Sequence, residues 1–251
     1  MKLKAALVLV ALGLAACATP TQPTWRMTGD SSTWTTAPAG YLAAGTAPEG
    51  LIILPAPPAP NTPAGRADRA AYLEGRKLVD TPRWDQAIAD ADLSGVQAWK
   101  GFSEVIGAPI GPQTTPTLAK LMLRIVGDAG PLYEHAKAQY QRPRPPVGDE
   151  RPICTPRESW IEKNGSYPSG HSLIGWSWAL VLAELAPDRQ SEILRRGREI
   201  GDSRVVCGVH FPTDVEAGRL LGAALVARLH SDPQFKADLE AARGELAAVR
   251  R

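Results

Sequence analysis

Two cationic side chains, Lys137 and Arg144, stand seven residues apart, and Pro145 follows the arginine. Seven residues are close to two turns of an α-helix, so a helix that ends at Pro143 would turn both cations toward one side. Two cations held together without an adjacent acid repel each other unless an anion lies between them. The spacing therefore indicates an anion site, although a solvated basic face at a helix end explains this pair, taken alone, even better.

A second group of residues forms the turn Gly165–His171, with the sequence GSYPSGH, directly before an apolar stretch. Free backbone N–H groups at the start of a helix bind anions, and the helix dipole favours negative charge at the same place. Gly170 lets the backbone approach a ligand closely, and a bound anion would raise the pKa of His171 and keep it available as an acid. The alternative for this segment alone is an ordinary helix cap with a surface histidine.

The third group contains Ser203–Arg204, His210 and Asp214. The guanidinium of Arg204 offers paired N–H donors for phosphate-like oxygens. His210 and Asp214 lie four residues apart around Pro212, which is typical of the first turn of a helix. At this spacing the carboxylate can accept from one imidazole nitrogen and leave the other as a nucleophile or base. Taken alone, the group also fits an ordinary helix start in which the acid complements the dipole.

Helical periodicity predicts the elements that must position these three groups. The predicted helices cover residues 66–78, 81–91, 95–106, 115–128, 129–141, 172–184, 188–203, 213–229 and 233–249. No segment shows the alternation of a strand with hairpin turns, and no internal repeat is present. We therefore expect an all-α fold with a single compact helical domain.

The N-terminal 16 residues have the pattern of a signal peptide, because a short lysine-containing start precedes an apolar run too short to span a bilayer. The run ends at LAAC, which resembles the lipobox of bacterial lipoproteins, so we expect cleavage before Cys17 and lipid on that cysteine. An ordinary signal peptide with a cysteine nearby is the alternative. Residues 17–50, rich in Thr, Ser and Pro, are predicted to be a flexible tether, and residues 51–251 the folded domain.

Three cysteines are an odd number for an exported chain. If Cys17 carries lipid, Cys154 and Cys207 remain as a pair in an oxidising compartment, and we predict a disulfide between them. Two buried free thiols are the alternative.

The composition is that of a globular protein, with 44% hydrophobic and 22% charged residues. The net charge of +2 falls to 0 on cleavage before Cys17, since two lysines and no acid are removed. This balance argues against binding of nucleic-acid polymers, which requires a basic excess. No spaced set of carboxylates and histidines suggests a metal site, and no GxxxxGK[ST] loop is present, so we expect neither a metal nor another cofactor.

In chain order, the three groups have the patterns KxxxxxxRP, PSGH and SRxxxxxHxxxD. Each pattern is weak alone, but all three at these spacings resemble the signature of the superfamily that unites type 2 phosphatidic acid phosphatases and vanadium haloperoxidases. The strings GSYPSGH and SRVVCGVH are similar in particular to those of bacterial class A non-specific acid phosphatases. The resemblance covers roughly residues 51–251. One departure is Ser172, which stands where that subfamily usually has threonine and keeps the hydroxyl.

The resemblance implies a role for each matching residue. His210 would be the nucleophile that forms a phosphohistidine, and Asp214 would hold its tautomer. His171 would protonate the leaving alcohol and later activate water. The phosphate oxygens would be bound by five residues, namely Lys137, Arg144, Ser169, Gly170 and Arg204. Fixed positive charge suits phosphoryl transfer, which depends on positioning and electrostatic stabilisation.

The implied function is an acid phosphatase of broad specificity for small phosphomonoesters, with phosphotransfer to alcohols as a side activity. Vanadate is expected to inhibit it as a phosphate analogue. The resemblance also suggests a homo-oligomer, dimeric or larger. The lipobox predicts a periplasmic lipoprotein, and Ala18 favours the outer membrane because it replaces the aspartate associated with inner-membrane retention.

Three other functions are alternatives. A vanadium-dependent haloperoxidase would hold vanadate in the same pocket. A membrane lipid phosphatase would need six hydrophobic spans, and the sequence has none beyond its signal. A non-catalytic envelope lipoprotein that only binds anions would not need the full set of catalytic residue types.

Overall fold

The computed structural model describes residues 39–93 and 96–250, and within these ranges the chain forms ten α-helices and no strand. The predicted all-α fold is therefore confirmed. The helices are α1 (Gly50–Ile53), α2 (Pro63–Gly75), α3 (Pro82–Ala89), α4 (Val96–Ile106), α5 (Pro116–Tyr140), α6 (Trp160–Lys163), α7 (Gly170–Leu185), α8 (Gln190–Cys207), α9 (Pro212–Leu229) and α10 (Pro233–Val249). Across the described ranges, no helix is both long and apolar enough to cross a bilayer. The predicted signal peptide and Cys17 lie outside these residues.

Proline at the first helical position begins α2, α3, α5, α9 and α10. Its missing N–H costs nothing there, and its restricted φ is already helical. In α2, α3 and α10 the preceding side chain accepts a hydrogen bond from a backbone N–H of the first turn; these caps are Thr62, Thr81 and Asp232. This local chemistry explains why the predicted helix starts lie close to the observed ones, and α10 has the predicted bounds.

Helix α5 is one helix of 25 residues and not the two helices predicted for 115–128 and 129–141. Pro131 lies inside it, where its ring and missing N–H disfavour a helix. Residues on both sides of this proline, such as Ile125 and Leu132, are fully buried in the same core. Tertiary packing of both halves therefore outweighs the local cost.

Helix α7 lies at the centre of the domain, where α5, α8 and α9 pack against it. Most of its side chains are buried. The indole N–H of Trp178 donates to the carbonyl of Met122 on α5 at 2.8 Å, and its ring packs edge-on against Trp99 of α4. These contacts fix the central helix against two neighbours.

Two glycines on one face of α9 allow it to approach α7 closely. A Cβ at Gly218 would lie 2.3 Å from the carbonyl oxygen of Ser169, and one at Gly222 would lie 2.7 Å from that of Leu173. Both distances are shorter than any ordinary non-bonded contact, so only glycine fits without displacement. This contact sets the distance between the start of α7 and the start of α9, where two of the candidate groups lie.

A smaller apolar cluster surrounds the predicted disulfide between Cys154 and Cys207, which the structure contains. Trp84 of α3 and Trp160 of α6 pack in this cluster. The backbone N–H of Cys154 also donates to the carbonyl of Cys207 at 3.0 Å. Because Cys207 ends α8 three residues before His210, the cluster anchors the connection that presents this histidine.

Tyr41 lies in the stretch predicted as a flexible tether, yet its side chain is buried against Phe235 of α10. The carboxylate of Asp128 accepts from the backbone N–H groups of Tyr41 and Leu42, at 2.8 and 3.0 Å. The Tyr41 hydroxyl donates to Asp238 at 2.9 Å. The chain is thus attached to the helical domain ten residues before residue 51, the start predicted for it.

Candidate active site

The three groups predicted from the sequence meet at the N-terminal end of α7. The last turn of α5 and the segment after it supply Lys137 and Arg144. The turn into α7 and its first residues supply Ser169, Gly170 and His171. The end of α8 and the start of α9 supply three further side chains, Arg204, His210 and Asp214. The structure therefore brings all eight predicted residues into one buried cluster, while their chemical roles stay predictions.

The tautomer of His210 follows from its two neighbours. Nη1 of Arg144 lies 3.0 Å from Nε2 of the imidazole, and because a guanidinium can only donate, Nε2 must accept. The proton of the neutral ring is therefore on Nδ1, which lies 3.5 Å from the Ser166 hydroxyl oxygen and 3.5 Å from Oδ2 of Asp214. The contact with Ser166 is at the outer limit of a hydrogen bond, and the contact with Asp214 is an interaction of charges. The arrangement leaves the lone pair of Nε2 directed at the buried cations.

The carboxylate of Asp214 is fully buried and accepts hydrogen bonds from three other groups. Oδ1 accepts from Nη1 of Arg142 at 2.6 Å. Oδ2 accepts from the Ser166 hydroxyl at 2.5 Å and from the backbone N–H of Phe211 at 2.7 Å. The contact with Phe211 also satisfies a free N–H at the start of α9. These three hydrogen bonds hold the carboxylate on the Nδ1 side of His210, where Ser166 contacts both residues.

Three cations are buried beside His210, and no carboxylate in the described part of the chain forms an ion pair with any of them. Burial and the charge of Arg204 lower the pKa of Arg144 to about 9. Burial lowers the pKa of Arg204 itself to about 10, and burial and the charge of Arg144 hold that of Lys137 well below its usual range. All three shifts are in the direction expected for charges that lack water and repel each other. A bound dianion would relieve both effects.

Arg204 is the clearest sign of a ligand position. It is 2% exposed, and its Nε and Nη1 atoms are buried without a hydrogen-bond partner among the described residues. A buried guanidinium normally has its donors satisfied, since each unsatisfied donor costs free energy. Phosphate-like oxygens are acceptors that suit the unsatisfied donors of a buried guanidinium.

His171 is held by the connection between α3 and α4. Its Nε2 lies 3.1 Å from the carbonyl oxygen of Ala91, which can only accept, so Nε2 carries a proton and Nδ1 is the free atom. Burial, followed by the charge of Arg204, holds the pKa of His171 well below its usual range. A bound anion is expected to raise the pKa of His171, which opposes the effects of burial and of Arg204.

The start of α7 has the form of an anion site. Ser169 is the N-cap, and its hydroxyl accepts from the backbone N–H of Ser172 at 3.3 Å. Its own N–H donates to the carbonyl of Asp214 at 2.9 Å, which ties the turn to α9. A Cβ at Gly170 would lie 3.2 Å from the ring of Tyr133, so glycine lets the turn pack on α5. The charges of Arg204 and Arg144 act on His171 in this first turn, and the start of a helix favours an anion at the same place.

Several residues that shape the site were not found from the sequence. Arg142 was missed although it stands within the same short segment as the predicted cation at 144, and Ser166 was missed within GSYPSGH. Asp68 binds Arg142 from α2. Asp90 accepts from the Ser203 hydroxyl at 2.6 Å and so holds the residue next to Arg204. The positions of Arg142 and Ser166 inside the motifs were an available signal, whereas nothing in the sequence connects α2 or α3 to the site.

Within the described part of the chain, no group of three or more His, Cys, Asp or Glu side chains is arranged to hold a metal ion.

Comparison with known proteins identifies the family of the chain. Residues 118–237 match the PAP2 superfamily model. The chain is 42% identical to the non-specific acid phosphatase of Providencia stuartii over 84% of its own length and 86% of that protein's. It is 44% identical to the non-specific acid phosphatase of Salmonella typhimurium, over 78% of this chain and 79% of that one. A solved PAP2-type phosphatidylglycerolphosphate phosphatase from Bacillus subtilis has 24% identity and a TM-score of 0.47, with 70% of this chain and 89% of that chain covered. The chain belongs to the PAP2 superfamily and is a relative of the bacterial non-specific acid phosphatases within it.

Proposed function

We propose that this protein is an acid phosphatase of broad specificity that hydrolyses small phosphate monoesters through a phosphohistidine at His210. The observation that supports this most strongly is the position of Nε2, an unprotonated nitrogen beside three buried cations. One of these cations, Arg204, has two donors without a partner among the residues that the structure describes. The names of the bacterial relatives support the same activity.

The first half-reaction forms a bond between Nε2 of His210 and phosphorus. The lone pair of Nε2 attacks, the bond from phosphorus to the ester oxygen breaks, and its electron pair leaves with that oxygen. With the anionic substrate bound, the His171 ring carries a second proton on Nδ1, and it gives that proton to the departing oxygen, so an alcohol is released and His171 becomes neutral. Asp214 stabilises the positive imidazole that results, since it lies on the Nδ1 side of His210.

The second half-reaction reverses these roles with water. His171 now accepts a proton from the attacking water, the bond between nitrogen and phosphorus breaks, and its electrons return to Nε2. The products are inorganic phosphate and the original imidazole. An alcohol that replaces this water would receive the phosphoryl group instead, which is the proposed phosphotransfer side activity.

Lys137, Arg144 and Arg204 would bind the phosphate oxygens together with Ser169 and the N–H of Gly170. The cations would stabilise the charge that spreads over these oxygens in the transition state. In this proposal no metal or other cofactor takes part, and vanadate inhibits by occupying the phosphate position.

An assay of p-nitrophenyl phosphate at acidic pH, with a panel of nucleotides, sugar phosphates and phosphatidic acid, tests the proposal. We expect hydrolysis of the small esters that EDTA does not reduce and that vanadate inhibits. Loss of activity in EDTA would contradict the metal-free mechanism. Vanadate-dependent oxidation of halide by peroxide, without ester hydrolysis, would favour the haloperoxidase alternative, and phosphate binding without any turnover would favour the anion-binding lipoprotein.

We also propose that the enzyme is a periplasmic lipoprotein anchored through Cys17 in the outer membrane, and that it forms a homo-oligomer. The LAAC pattern supports the anchor. Mass spectrometry of the mature N-terminus would identify the lipid on this cysteine. Light scattering of the purified domain would show a monomer if the second proposal is wrong.

A further inference from the structure

A chain of buried charges lies behind the candidate nucleophile and takes no direct part in the proposed chemistry. Asp68 on α2, Arg142 after α5 and Asp214 on α9 are joined by two ion pairs. The side chains are 2%, 10% and 0% exposed, respectively. Two carboxylates and one guanidinium are costly to bury, and such groups persist where their geometry is needed.

The central guanidinium bridges the two acids with separate nitrogens. Nη2 of Arg142 donates to Oδ2 of Asp68 at 2.7 Å, and Nη1 donates to Oδ1 of Asp214 at 2.6 Å. Nη1 also donates to the Thr213 hydroxyl at 2.7 Å, and that residue's N–H and hydroxyl donate to Asp68. Asp68 therefore binds both Arg142 and the first turn of the helix that carries Asp214.

The main chain of Arg142 also makes a hydrogen bond beside Asp214. Its carbonyl accepts from the backbone N–H of Ser166 at 2.8 Å, and the Ser166 hydroxyl donates to Asp214. One residue thus connects the segment after α5, the turn before α7 and the start of α9. These are the three segments that supply the catalytic groups.

We infer that Arg142 and Asp68 form a positioning pair for Asp214 and, through it, for His210. This inference rests on the proposed function. The guanidinium holds the oxygen of Asp214 that the imidazole does not use, and the second acid neutralises the guanidinium. Asp214 consequently keeps its negative charge for the Nδ1 side of His210. Neither member of the pair binds phosphate.

The charges around His210 determine the sign of the expected effect. Charged and titratable groups face it from each surrounding element, and these are Asp214, Arg204, His171, Lys137 and Arg144. Burial, then Arg144, Lys137 and Arg204, hold its pKa well below the usual range. Removing the charge of Asp68 leaves Asp214 as the carboxylate that still pairs with Arg142, so the charge of Asp214 no longer serves His210 alone. Tyr167 is another titratable group near this arginine. The pKa of His210 must then fall further.

The test compares Asp68→Asn and Arg142→Lys with Arg124→Lys as a matched control. Arg124 forms a mostly buried ion pair with Asp238 on α10, with side chains 17% and 12% exposed. We expect the first two variants to lose about 10- to 100-fold in kcat, the usual effect of removing a residue that orients a catalytic group. Inhibition by inorganic phosphate should be unchanged in both. Arg124→Lys should lower thermal stability without affecting kcat.

Two further readouts separate positioning from a structural role. In Asp68→Asn, the limb of the kcat/KM profile that reports deprotonation of His210 should move to lower pH. NMR titration of the imidazole should show the same shift, and it does not depend on turnover. If the wild-type protein has no phosphatase activity, the proposed function is overturned. The NMR titration of His210 would still test whether Arg142 and Asp68 act on this histidine. The inference is overturned if Asp68→Asn and Arg142→Lys keep the kcat and imidazole pKa of the control, or if both weaken phosphate binding.

Discussion

Gly218→Ala adds one methyl group at the point where α9 approaches the start of α7. Its Cβ would lie 2.3 Å from the Ser169 carbonyl oxygen and 2.8 Å from Cβ of Ser172. The carbonyl belongs to the backbone of the candidate anion site, so the clash cannot be relieved by rotating a flexible side chain. Helix α9 must therefore move away from α7, and His210 and Asp214 move with it.

The expected change in the free energy of unfolding of Gly218→Ala combines two opposing effects. Alanine is more favourable than glycine inside a helix by about 1 kcal/mol. Overpacking a tight contact costs about 1–3 kcal/mol, and this contact is at the severe end. We therefore expect Gly218→Ala to be destabilised by about 1–2 kcal/mol, which lowers Tm by about 2–8 °C for a domain of this size.

Gly244→Ala is the matched control, because Gly244 lies in α10 with no atom within 4 Å of an added Cβ. This variant should be as stable as the wild type or more stable by up to about 1 kcal/mol, with unchanged kcat. Urea unfolding and hydrolysis of p-nitrophenyl phosphate measure both variants. In Gly218→Ala, kcat should fall even where the protein is fully folded, since His210 and Asp214, the proposed catalytic groups, are displaced. Equal stability of the two variants, or full activity of folded Gly218→Ala, would refute the account of the α7–α9 contact.

Three other predictions concern the disulfide, a helix cap and pH. The double variant Cys154→Ser, Cys207→Ser should lose about 4 kcal/mol of stability, because the disulfide closes a loop with a sequence separation of 53. Unchanged urea unfolding of this variant would contradict the prediction. Asp232→Ala should cost about 1 kcal/mol, because Asp232 accepts from the Phe235 N–H at 2.9 Å, and unchanged thermal unfolding would argue against the cap. Without phosphate, the free energy of unfolding should fall as pH decreases below about 6.5. The pKa values of His171 and His210 are lower in the folded protein than in the unfolded chain, so the unfolded chain binds more protons in this range. Added phosphate should oppose this loss and His210→Gln should reduce it; stability that is independent of pH in the wild type would contradict the assignment.

The residues of the site were predictable because their types and spacing are local properties of three short segments. Helical periodicity likewise predicted starts close to the observed ones for most helices. The continuity of α5 through Pro131 was not predictable, since it depends on packing of both halves in the core. The contacts of Asp68 and Tyr41 join positions far apart in the chain, and no local pattern reports them. Packing also determined that Asp214 has Arg142 and Ser166 as partners besides His210.

The most direct test of the central claim is to identify the phosphorylated residue during turnover. The enzyme is mixed with a ³²P-labelled monoester, quenched in alkali and digested, because phosphohistidine survives alkali and is lost in acid. We predict label on the peptide that contains His210, and no label or activity in His210→Ala. Label on another residue, or full hydrolysis by His210→Ala, would contradict nucleophilic catalysis by this histidine.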